Sequence, residues 1–322
     1  MNALVTGCAG FVGSQLTESL LEDGHEVLGV DVLLDNYAPA LKLANLSRAR
    51  EHKGFRFARL DLAAAPLEPL VEQCDTIFHL AAEPGVRTSW GARFASYEHN
   101  NVLATQRLLE ATMRWPEKRV VYASSSSVYG DAERLPTGEE TLPKPFSPYG
   151  VTKLAAEHLC VLYHGNHGVA AVALRYFSVY GPRQRPDMAF NRFCRAALRD
   201  QPITVFGDGR QTRDFTFVHD VVSATRAAAI APAAPGRVYN VGGGSRVSVR
   251  DVLGHIASLR GRPLEIHYED GESGDVRHTG ADTSRARRDL GFRPTTSVEV
   301  GLHAEFEWMR EQERRPLRAA AG

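Results

Sequence analysis

Two residues of complementary chemistry, a tyrosine and a lysine, stand four positions apart in the stretch Ser147-Pro148-Tyr149-Gly150-Val151-Thr152-Lys153. On a helix this spacing places the side chains of Tyr149 and Lys153 on one face. A positive charge beside a phenol stabilises the phenolate, so the phenol proton is easier to remove. The pair is therefore a candidate general base, and the surrounding elements must hold the group whose proton it takes.

A glycine-rich turn near residue 10 indicates where a nucleotide would bind. The β-type run at residues 2–6 leads into Gly7-Cys8-Ala9-Gly10-Phe11-Val12-Gly13, and a helical pattern follows. Glycines let the backbone approach a pyrophosphate, and the free N–H groups at a helix start attract its charge. A second strand, residues 26–30, ends at Asp31, where an acid can accept from an adenosine ribose. Because the same acid would repel the 2′-phosphate of NADP, we expect NAD as the cofactor.

Other strand ends carry residues that would meet the same ligand, since ligands of open parallel sheets gather at the carboxyl ends of strands. The run at 55–60 ends at Asp61-Leu62, where the acid can accept from an adenine amine. The run at 76–80 ends at Ala81-Ala82, which are small enough for the backbone to lie against a cofactor. Arg87, in the next turn, could reach an anionic substrate, but a solvated loop arginine is an equally good interpretation.

Composition narrows the class of protein. The 322 residues suffice for one large α/β unit or two packed domains. A formal net charge of zero gives no reason to expect nucleic acid or an anionic membrane as the main partner. The chain shows no leader-like or membrane-spanning run, and its cysteines lack metal-ligand spacing. We expect a soluble cytoplasmic protein without a bound metal. The cysteines are Cys8, Cys74, Cys160 and Cys194.

The order of strand-like and helical patterns predicts an α/β fold, a doubly wound parallel (Rossmann) sheet with a smaller C-terminal α/β domain. About six β/α units precede Gly181-Pro182, where the pattern changes to that of a substrate-binding lobe. We expect an NAD-binding domain at 1–178 and an interleaved substrate domain at 179–322. Residues 214–242 are expected to return to the first domain.

Several of these motifs occur together in one known family. They are Gly7-x-x-Gly10-x-x-Gly13, Asp31, Asp61, the serine run before Val128-Tyr129-Gly130, Tyr149-x-x-x-Lys153 and Arg175-Tyr176-Phe177-Ser178-Val179-Tyr180-Gly181-Pro182. The chain resembles, nearly end to end, the extended short-chain dehydrogenase/reductase family. The resemblance implies that Tyr149 is the base and Ser125 its hydroxyl partner. It also implies that Lys153 holds the nicotinamide ribose and lowers the pKa of the tyrosine.

The resemblance further implies an NAD site and a quaternary structure. Family members that act on nucleotide sugars pair through helices, so a homodimer built on residues 103–113 and 154–162 is expected. The implied cofactor-binding residues are Gly7, Gly10, Phe11, Val12, Gly13, Asp31, Asp61, Leu62, Leu80, Ala81, Ala82, Asn100, Ala123, Tyr149, Lys153 and Tyr176.

Two serines distinguish between reactions within this family. In the sugar 4,6-dehydratases that the sequence resembles, an Asp-Glu pair precedes the Val-Tyr-Gly motif, and in UDP-glucuronate decarboxylases the second residue is usually Glu. Here Ser126 and Ser127 stand at these positions. A hydroxyl cannot serve as a general acid at neutral pH. Hydride removal and return remains, which is the reaction of an epimerase.

The expected substrate is a UDP-sugar, and Arg185 suggests which one. Residues 84–90, 147–153 and 181–190 look most like UDP-glucuronate 4-epimerases, and Arg185 is then the expected partner of the C6 carboxylate. A guanidinium matches a carboxylate bidentately. A phosphate contact or an ion pair between the lobes is the alternative role for Arg185.

The remaining substrate contacts follow from the resemblance alone. It places Arg213 and Arg277 at the diphosphate, and Phe190, Thr204 and Phe206 near the uridine. The segment Gly274-Asp275-Val276-Arg277-His278-Thr279 has a form that is common to nucleotide-sugar epimerases generally. The implied substrate-binding residues are Arg87, Ser125, Ser126, Ser127, Tyr149, Ser178, Arg185, Phe190, Thr204, Phe206, Arg213 and Arg277.

Three alternatives stay open at the level of sequence. The protein could epimerise neutral sugars such as UDP-glucose or UDP-xylose, or it could decarboxylate UDP-glucuronate, which mass balance would reveal. It could also be a nucleotide-sensing protein on the same fold without turnover. Such proteins commonly lose the tyrosine or the lysine, and this chain keeps both Tyr149 and Lys153.

Overall fold

The strands of the protein are short and mostly parallel. The computed structural model describes residues 1–270 and 276–314, so Gly274 and Asp275 of the predicted diphosphate loop lie outside the described residues. The strands are β1 Asn2–Thr6, β2 Glu26–Asp31, β3 Phe55–Arg59, β4 Thr76–His79, β5 Arg119–Ser125, β6 Ala171–Tyr176, β7 Val179–Tyr180, β8 Ile203–Phe206, β9 Thr212–Asp214, β10 Thr216–Phe217, β11 Val238–Val241, β12 Arg246–Ser248 and β13 Ile266–Glu269.

Helices alternate with these strands through most of the chain. Short 3₁₀ turns lie at Arg87–Ser89, Gly91–Arg93 and Ser126–Val128, and a π-helical turn lies at Glu98–Leu103. The α-helices are α1 Phe11–Glu22, α2 Pro39–Asn45, α3 Ser47–Glu51, α4 Glu68–Glu72, α5 Phe94–Tyr97, α6 Ala104–Thr112, α7 Pro148–His167, α8 Ala189–Leu198, α9 Val218–Ile230, α10 Val249–Arg260, α11 Ser284–Leu290 and α12 Val298–Arg314.

Seven strands form one parallel sheet in the order β11-β6-β5-β4-β1-β2-β3. The order reverses between β1 and β4, since the chain moves outward through β2 and β3 before it crosses back. Alternate residues of β1 enter different cores: Ala3 and Val5 pack on one face and Leu4 on the other. Burial on both faces explains why these strands read as continuous apolar runs. The expected doubly wound α/β fold is confirmed.

Helices cover both faces of this sheet. On one face α1 and α9 pack against each other and share a core with α11. On the other face α4, α6 and α7 supply the core residues. This arrangement leaves the carboxyl ends of the strands open as a crevice, which is where ligands of such sheets bind.

The later part of the chain builds a smaller lobe beside that crevice. Three two-stranded sheets, β7 with β10, β9 with β12 and β8 with β13, combine with α8, α10 and α12 around a separate core. The lobes interleave, because α9 packs on α1 and β11 pairs with β6 in the main sheet. The domain limits 1–178 and 179–322 stay a prediction. Among the described residues, no helix has the length and apolarity needed to cross a lipid bilayer.

Candidate active site

A cavity of about 450 Å³ opens at the carboxyl ends of the central strands. This volume lies in the range of small-molecule sites. The cavity wall contains all sixteen residues expected to bind the cofactor, together with Ser125, Ser126, Ser127, Ser178 and Arg185 of the expected substrate site. The structure therefore brings together the candidate catalytic residues Tyr149, Lys153 and Ser125 with the glycine turn, although the role of each residue stays a prediction.

The glycine turn fits a dinucleotide diphosphate. Gly7 has φ +70°, and a Cβ there would come within 2.7 Å of the Ala81 nitrogen. A Cβ on Gly13 would meet the Gly7 oxygen at 2.1 Å, so α1 can approach the turn only with glycine at this position. Gly10 caps α1, and no side chain accepts the N–H groups of this helix start. These groups line the cavity at Phe11 and Val12 and can receive phosphate oxygens.

The two expected acids lie at the ends of β2 and β3. Asp31 accepts hydrogen bonds from the backbone N–H groups of Ala9 (3.1 Å) and Leu33 (2.8 Å). Burial raises the pKa of Asp31 from its usual value. Asp61 accepts from His99 Nε2 at 2.8 Å. Burial acts against ionisation of Asp61, but the hydrogen bonds from His99 and from the Ala63 N–H, together with nearby positive charge, outweigh burial and lower the pKa of Asp61. Both carboxylates face the cavity and can accept from an adenosine.

Replacing Asp31 with asparagine should weaken NAD binding by roughly 10-fold and raise relative affinity for NADP. The amide keeps the size of the side chain but loses charged acceptors for the ribose, each worth about 1.5–3 kcal/mol. Binding of NADH and NADPH is measured by fluorescence titration. Asp35→Asn, an exposed position on the same loop, is the matched control. An unchanged preference for NADH in Asp31→Asn would refute the assigned role.

Helix α7 positions the candidate base. Ser147 caps the helix, its Oγ accepting from the Gly150 N–H at 3.1 Å, and Pro148 occupies the first turn. Tyr149 follows at once, so its side chain projects from the rigid helix start into the cavity. Burial raises the pKa of Tyr149, whereas a hydrogen bond with Ser125 and the positive charge of Arg185 act to lower it.

Lys153 lies on the same helix face, beneath the ring of Tyr122. Its Nζ lies 4.6 Å from the centroid of the Tyr122 ring, and its side chain is buried. Burial lowers the pKa of Lys153 to about 7, so the ammonium loses its proton more easily than that of an exposed lysine. The cation that acts most strongly on Tyr149 is Arg185. That Lys153 itself lowers the pKa of the tyrosine stays a prediction for the complex with cofactor.

The serine run turns from strand into loop at the cavity. Ser125 ends β5, and its Oγ accepts from the Ser127 N–H at 3.1 Å and donates to Ser127 Oγ at 3.1 Å. Ser126 and Ser127 then form a 3₁₀ turn, and both line the cavity. The wall beside Tyr149 consequently presents hydroxyl groups at the two positions where dehydratases carry acids.

A buried ion pair beneath the site was not recognised in the sequence. Glu157, one helical turn after Lys153, accepts from Arg175 Nη2 at 2.5 Å and Nε at 3.0 Å and from Ser124 Oγ at 2.7 Å. Arg175 also donates to the Tyr129 hydroxyl at 2.6 Å. Burial opposes the charge on Arg175, but Glu157 outweighs this effect and raises the pKa of the guanidinium. The network fixes α7 against β5 and β6.

Glu157→Gln should lower the free energy of unfolding by about 3–5 kcal/mol, because it leaves the Arg175 charge buried without a counter-charge. Urea unfolding followed by circular dichroism measures the change. The exposed pair of Arg48 and Glu22, with side chains 68% and 63% exposed, supplies the control. Glu22→Gln should cost less than about 1 kcal/mol. Equal losses in both variants would contradict the importance of the buried pair.

Several expected substrate contacts lie away from the cavity wall. Arg87 places its guanidinium 4.3 Å from the centroid of the Phe206 ring on β8. Arg213 donates to the carbonyl oxygens of Thr212 (3.0 Å) and Arg277 (3.1 Å), and Arg277 donates to Asp208 at 3.1 Å. These groups lie in the smaller lobe or pack against it, outside the cavity wall, so their contacts with a nucleotide stay predictions.

Phe190 and Thr204 complete that set. Phe190 is 2% exposed and packs against Phe215 with tilted rings and centroids 4.5 Å apart, so it belongs to the core of the smaller lobe. Its contact with a uridine stays a prediction. Thr204 is half-buried on β8 between core residues.

Sequence reasoning missed residues after β2 and in the π-helical turn. Asn36, Tyr37 and Lys42 line the cavity. Lys42 Nζ donates to the Leu34 oxygen at 2.6 Å and to Asn36 Oδ1 at 2.8 Å. In the sequence, the position of Lys42 between two leucines could have indicated a buried lysine, and a buried lysine needs hydrogen-bond partners. Asn101, beside the expected Asn100, accepts from the Glu83 N–H at 2.7 Å and donates to Thr152 Oγ1 at 2.9 Å.

Comparisons with known proteins agree with this geometry. Residues 3–242 match the NAD dependent epimerase/dehydratase family. A Bacillus subtilis (strain 168) protein described as an uncharacterized UDP-glucose epimerase, YtcB, is 45% identical and covers 96% of this chain and 98% of its own. A UDP-glucuronate 4-epimerase of Thermodesulfobacterium geofontis is 37% identical over 96% of both chains.

A solved structure is similar over the whole chain. It is the UDP-glucuronic acid 4-epimerase of Bacillus cereus in complex with UDP-glucuronic acid and NAD, with 42% identity and a TM-score of 0.94 over 97% of this chain and 100% of that one. The expected family and its cofactor, NAD, are confirmed. The chain belongs to the NAD dependent epimerase/dehydratase family, within the extended short-chain dehydrogenases/reductases.

Proposed function

We propose that the protein inverts C4 of UDP-glucuronate, giving UDP-galacturonate through a transient 4-keto sugar. The observation that carries this proposal is the position of Arg185, whose guanidinium lines the same cavity as Tyr149 and acts on it electrostatically. A guanidinium next to the base is placed to bind a carboxylate on the carbon that follows C4 in the ring chain, C5. The similarity to two UDP-glucuronate 4-epimerases supports the same substrate.

In the first half-reaction Tyr149, as phenolate, takes the O4 proton, and Ser125 orients the hydroxyl through its hydrogen bond with Tyr149. NAD, when bound, accepts the C4 hydride and later returns it. Arg185 favours the phenolate, while the hydroxyls of Ser126 and Ser127 offer hydrogen bonds to the sugar without an acid that could eliminate water. Because Lys153 is buried, charge interactions beside it are less screened than in water.

In the second half-reaction the keto sugar turns over and receives the hydride on its opposite face. Rotation about the bonds to the diphosphate permits this, provided that the nucleotide stays anchored. Arg213 and Arg277 are proposed as the anchors. They lie together, since the Arg213 guanidinium donates to the Arg277 oxygen at 3.1 Å. Tyr149 then returns its proton to O4 and is ready for another cycle.

The keto intermediate carries a hazard. It is a β-keto acid, so breaking the C5–C6 bond releases carbon dioxide, and the electron pair passes to the C4 carbonyl as an enolate that is protonated at C5. The reaction is fastest when the C5–C6 bond aligns with the carbonyl π system. Arg185 is proposed to keep the carboxylate charged, hydrogen-bonded and out of that alignment.

A neutral UDP-sugar is the second candidate substrate, favoured by the description of the Bacillus subtilis relative as a UDP-glucose epimerase.

Purified protein without added NAD is incubated with UDP-glucuronate, UDP-glucose or UDP-xylose, and the C4 configuration of each product is assigned by proton NMR. We expect inversion of UDP-glucuronate. Turnover of the neutral sugars alone would transfer the proposal to them, and release of carbon dioxide would identify a decarboxylase.

We also propose that the protein is a cytoplasmic homodimer. Large apolar side chains are exposed along the face of the π-helical turn and α7, with Leu103, Val161 and Leu162 at 42%, 41% and 54% exposure. Pairing of these faces between two copies would bury them. The four cysteines are free thiols, all buried, which suits a reducing compartment. Sedimentation equilibrium of the wild type and of Leu162→Glu tests the pairing.

A further inference from the structure

The guanidinium of Arg185 has two edges that can each donate a pair of parallel hydrogen bonds, and one of them is occupied. Nε donates to Asp187 Oδ1 at 3.0 Å, and Nη2 donates to Asp187 Oδ2 at 2.8 Å. Over residues 1–270 and 276–314, no hydrogen bond from Nη1 is found. The edge formed by Nη1 and Nη2 is consequently the one available to a ligand carboxylate.

Local backbone geometry builds this pair into the chain. The Met188 N–H donates to the Arg185 carbonyl oxygen at 3.1 Å, which closes a four-residue turn. Pro186 takes the second position of the turn, where its fixed φ is favoured. Met188 is also the residue that caps α8, so the turn continues directly into a helix. Asp187 is therefore held next to Arg185 at little cost in conformational entropy.

The two side chains differ in their exposure. The Arg185 side chain is 19% exposed and lines the cavity, whereas the Asp187 side chain is 56% exposed and is absent from the cavity wall. The other ionisable groups that sense the charge of the guanidinium include Tyr149, Tyr37, Tyr97 and Lys42. Asp187 thus lies behind the guanidinium as seen from the cavity, on the side away from the substrate.

We infer that Asp187 is a positioning residue that fixes the plane of the Arg185 guanidinium and so limits loss of carbon dioxide from the 4-keto intermediate. The inference rests on the proposed function. A fixed plane imposes one orientation on a bidentately bound carboxylate, and this orientation decides whether the C5–C6 bond aligns with the C4 carbonyl. Without Asp187 the guanidinium can rotate about its own side-chain bonds and carry the carboxylate with it.

Removal of the Asp187 charge has two opposing effects on affinity. Repulsion of the substrate carboxylate across the guanidinium disappears, but Asp187 is exposed and water screens it, so the gain is about twofold. Ordering the freed arginine side chain on binding costs roughly 2- to 10-fold. These effects nearly cancel in KM. No opposing effect offsets the change in alignment of the C5–C6 bond with the C4 carbonyl. The ratio of decarboxylated product to UDP-galacturonate should therefore change.

The test compares Asp187→Asn with Asp23→Asn. Asp23 is the matched control, a partly exposed aspartate paired with Arg226 outside the cavity. The ratio of decarboxylated pentose product to UDP-galacturonate is measured by proton NMR, together with KM. In Asp187→Asn we expect this ratio to rise by about 10-fold or more, with KM within about fivefold of wild type. Asp23→Asn should match the wild type in both.

A second measurement observes the guanidinium directly in the substrate-free protein. Rotation about the Nε–Cζ bond of Arg185 should be slow in the wild type and faster in Asp187→Asn, as seen in ¹⁵N spectra of arginine side chains assigned with Arg185→Lys. An unchanged product ratio, or unchanged rotation, overturns the inference. A tenfold fall in KM also overturns it, because Asp187 would then be a competitor for Arg185. If the wild-type protein does not convert UDP-glucuronate, the proposed function is refuted, and this result is obtained before any variant is compared.

Discussion

Replacing Tyr149 with phenylalanine lowers kcat for UDP-glucuronate by about 10³-fold while the NAD content of the protein stays unchanged. Loss of a positioned general base typically costs 10²- to 10⁴-fold in rate. The ring itself remains and keeps its edge-to-face contact with Tyr97, whose centroid lies 6.3 Å away. Turnover is measured by NMR, and NAD is quantified after the protein is denatured.

The control for this variant lies on the same helix. Tyr163 bonds to Glu110 and accepts from Gln106 at 3.1 Å, and it does not line the cavity. Tyr163→Phe should therefore retain kcat. A Tyr149→Phe protein with more than a tenth of wild-type activity would show that another group removes the O4 proton.

Replacing Arg185 with alanine lowers kcat/KM for UDP-glucuronate by roughly 10- to 100-fold and makes pentose a substantial product. Each charged hydrogen bond contributes about 1.5–3 kcal/mol, and the variant leaves the substrate carboxylate without its partner in a partly dry cavity. The same variant should also raise the pKa of Tyr149, because the cation that stabilises its phenolate is gone. The pH at which activity reaches half its maximum should shift upward.

Arg199→Ala is the control for the loss of an arginine. Arg199 is half exposed and pairs with Glu313 at 2.8 Å, away from the cavity. Its removal should leave both the rate and the products unchanged. If Arg185→Ala forms no pentose and keeps its turnover of glucuronate, the carboxylate is bound elsewhere.

The sheet and its helices could be predicted from the sequence because their causes are local. Apolar runs bounded by glycine or acidic residues coincide with strands. The run predicted at 2–6 is β1, the run at 26–30 lies within β2, and the runs at 55–60 and 76–80 each extend one residue beyond β3 and β4.

The residues that line the NAD side of the cavity could be predicted because they follow the ends of strands, and the fold determines the order of those strands. The position of Lys42 in the cavity could not be predicted, since its partners are backbone and amide oxygens of a loop whose path the sequence does not reveal. The pairing of Glu157 with Arg175 also joins different elements, α7 and β6, and requires their register. Spacing placed Lys153 on the face of α7 that lines the cavity, but it could not show that the positive charge of Arg185 also acts on Tyr149.

Transfer of deuterium at C4 tests the central claim most directly. UDP-glucuronate labelled with deuterium at C4 is incubated with the protein in ordinary water, and the product is examined by proton and deuterium NMR. Removal of the hydride and its return to the same carbon predicts UDP-galacturonate that keeps its deuterium at C4, now in the inverted configuration. Loss of the label to solvent, or a product with unchanged C4 configuration, would contradict the proposed reaction.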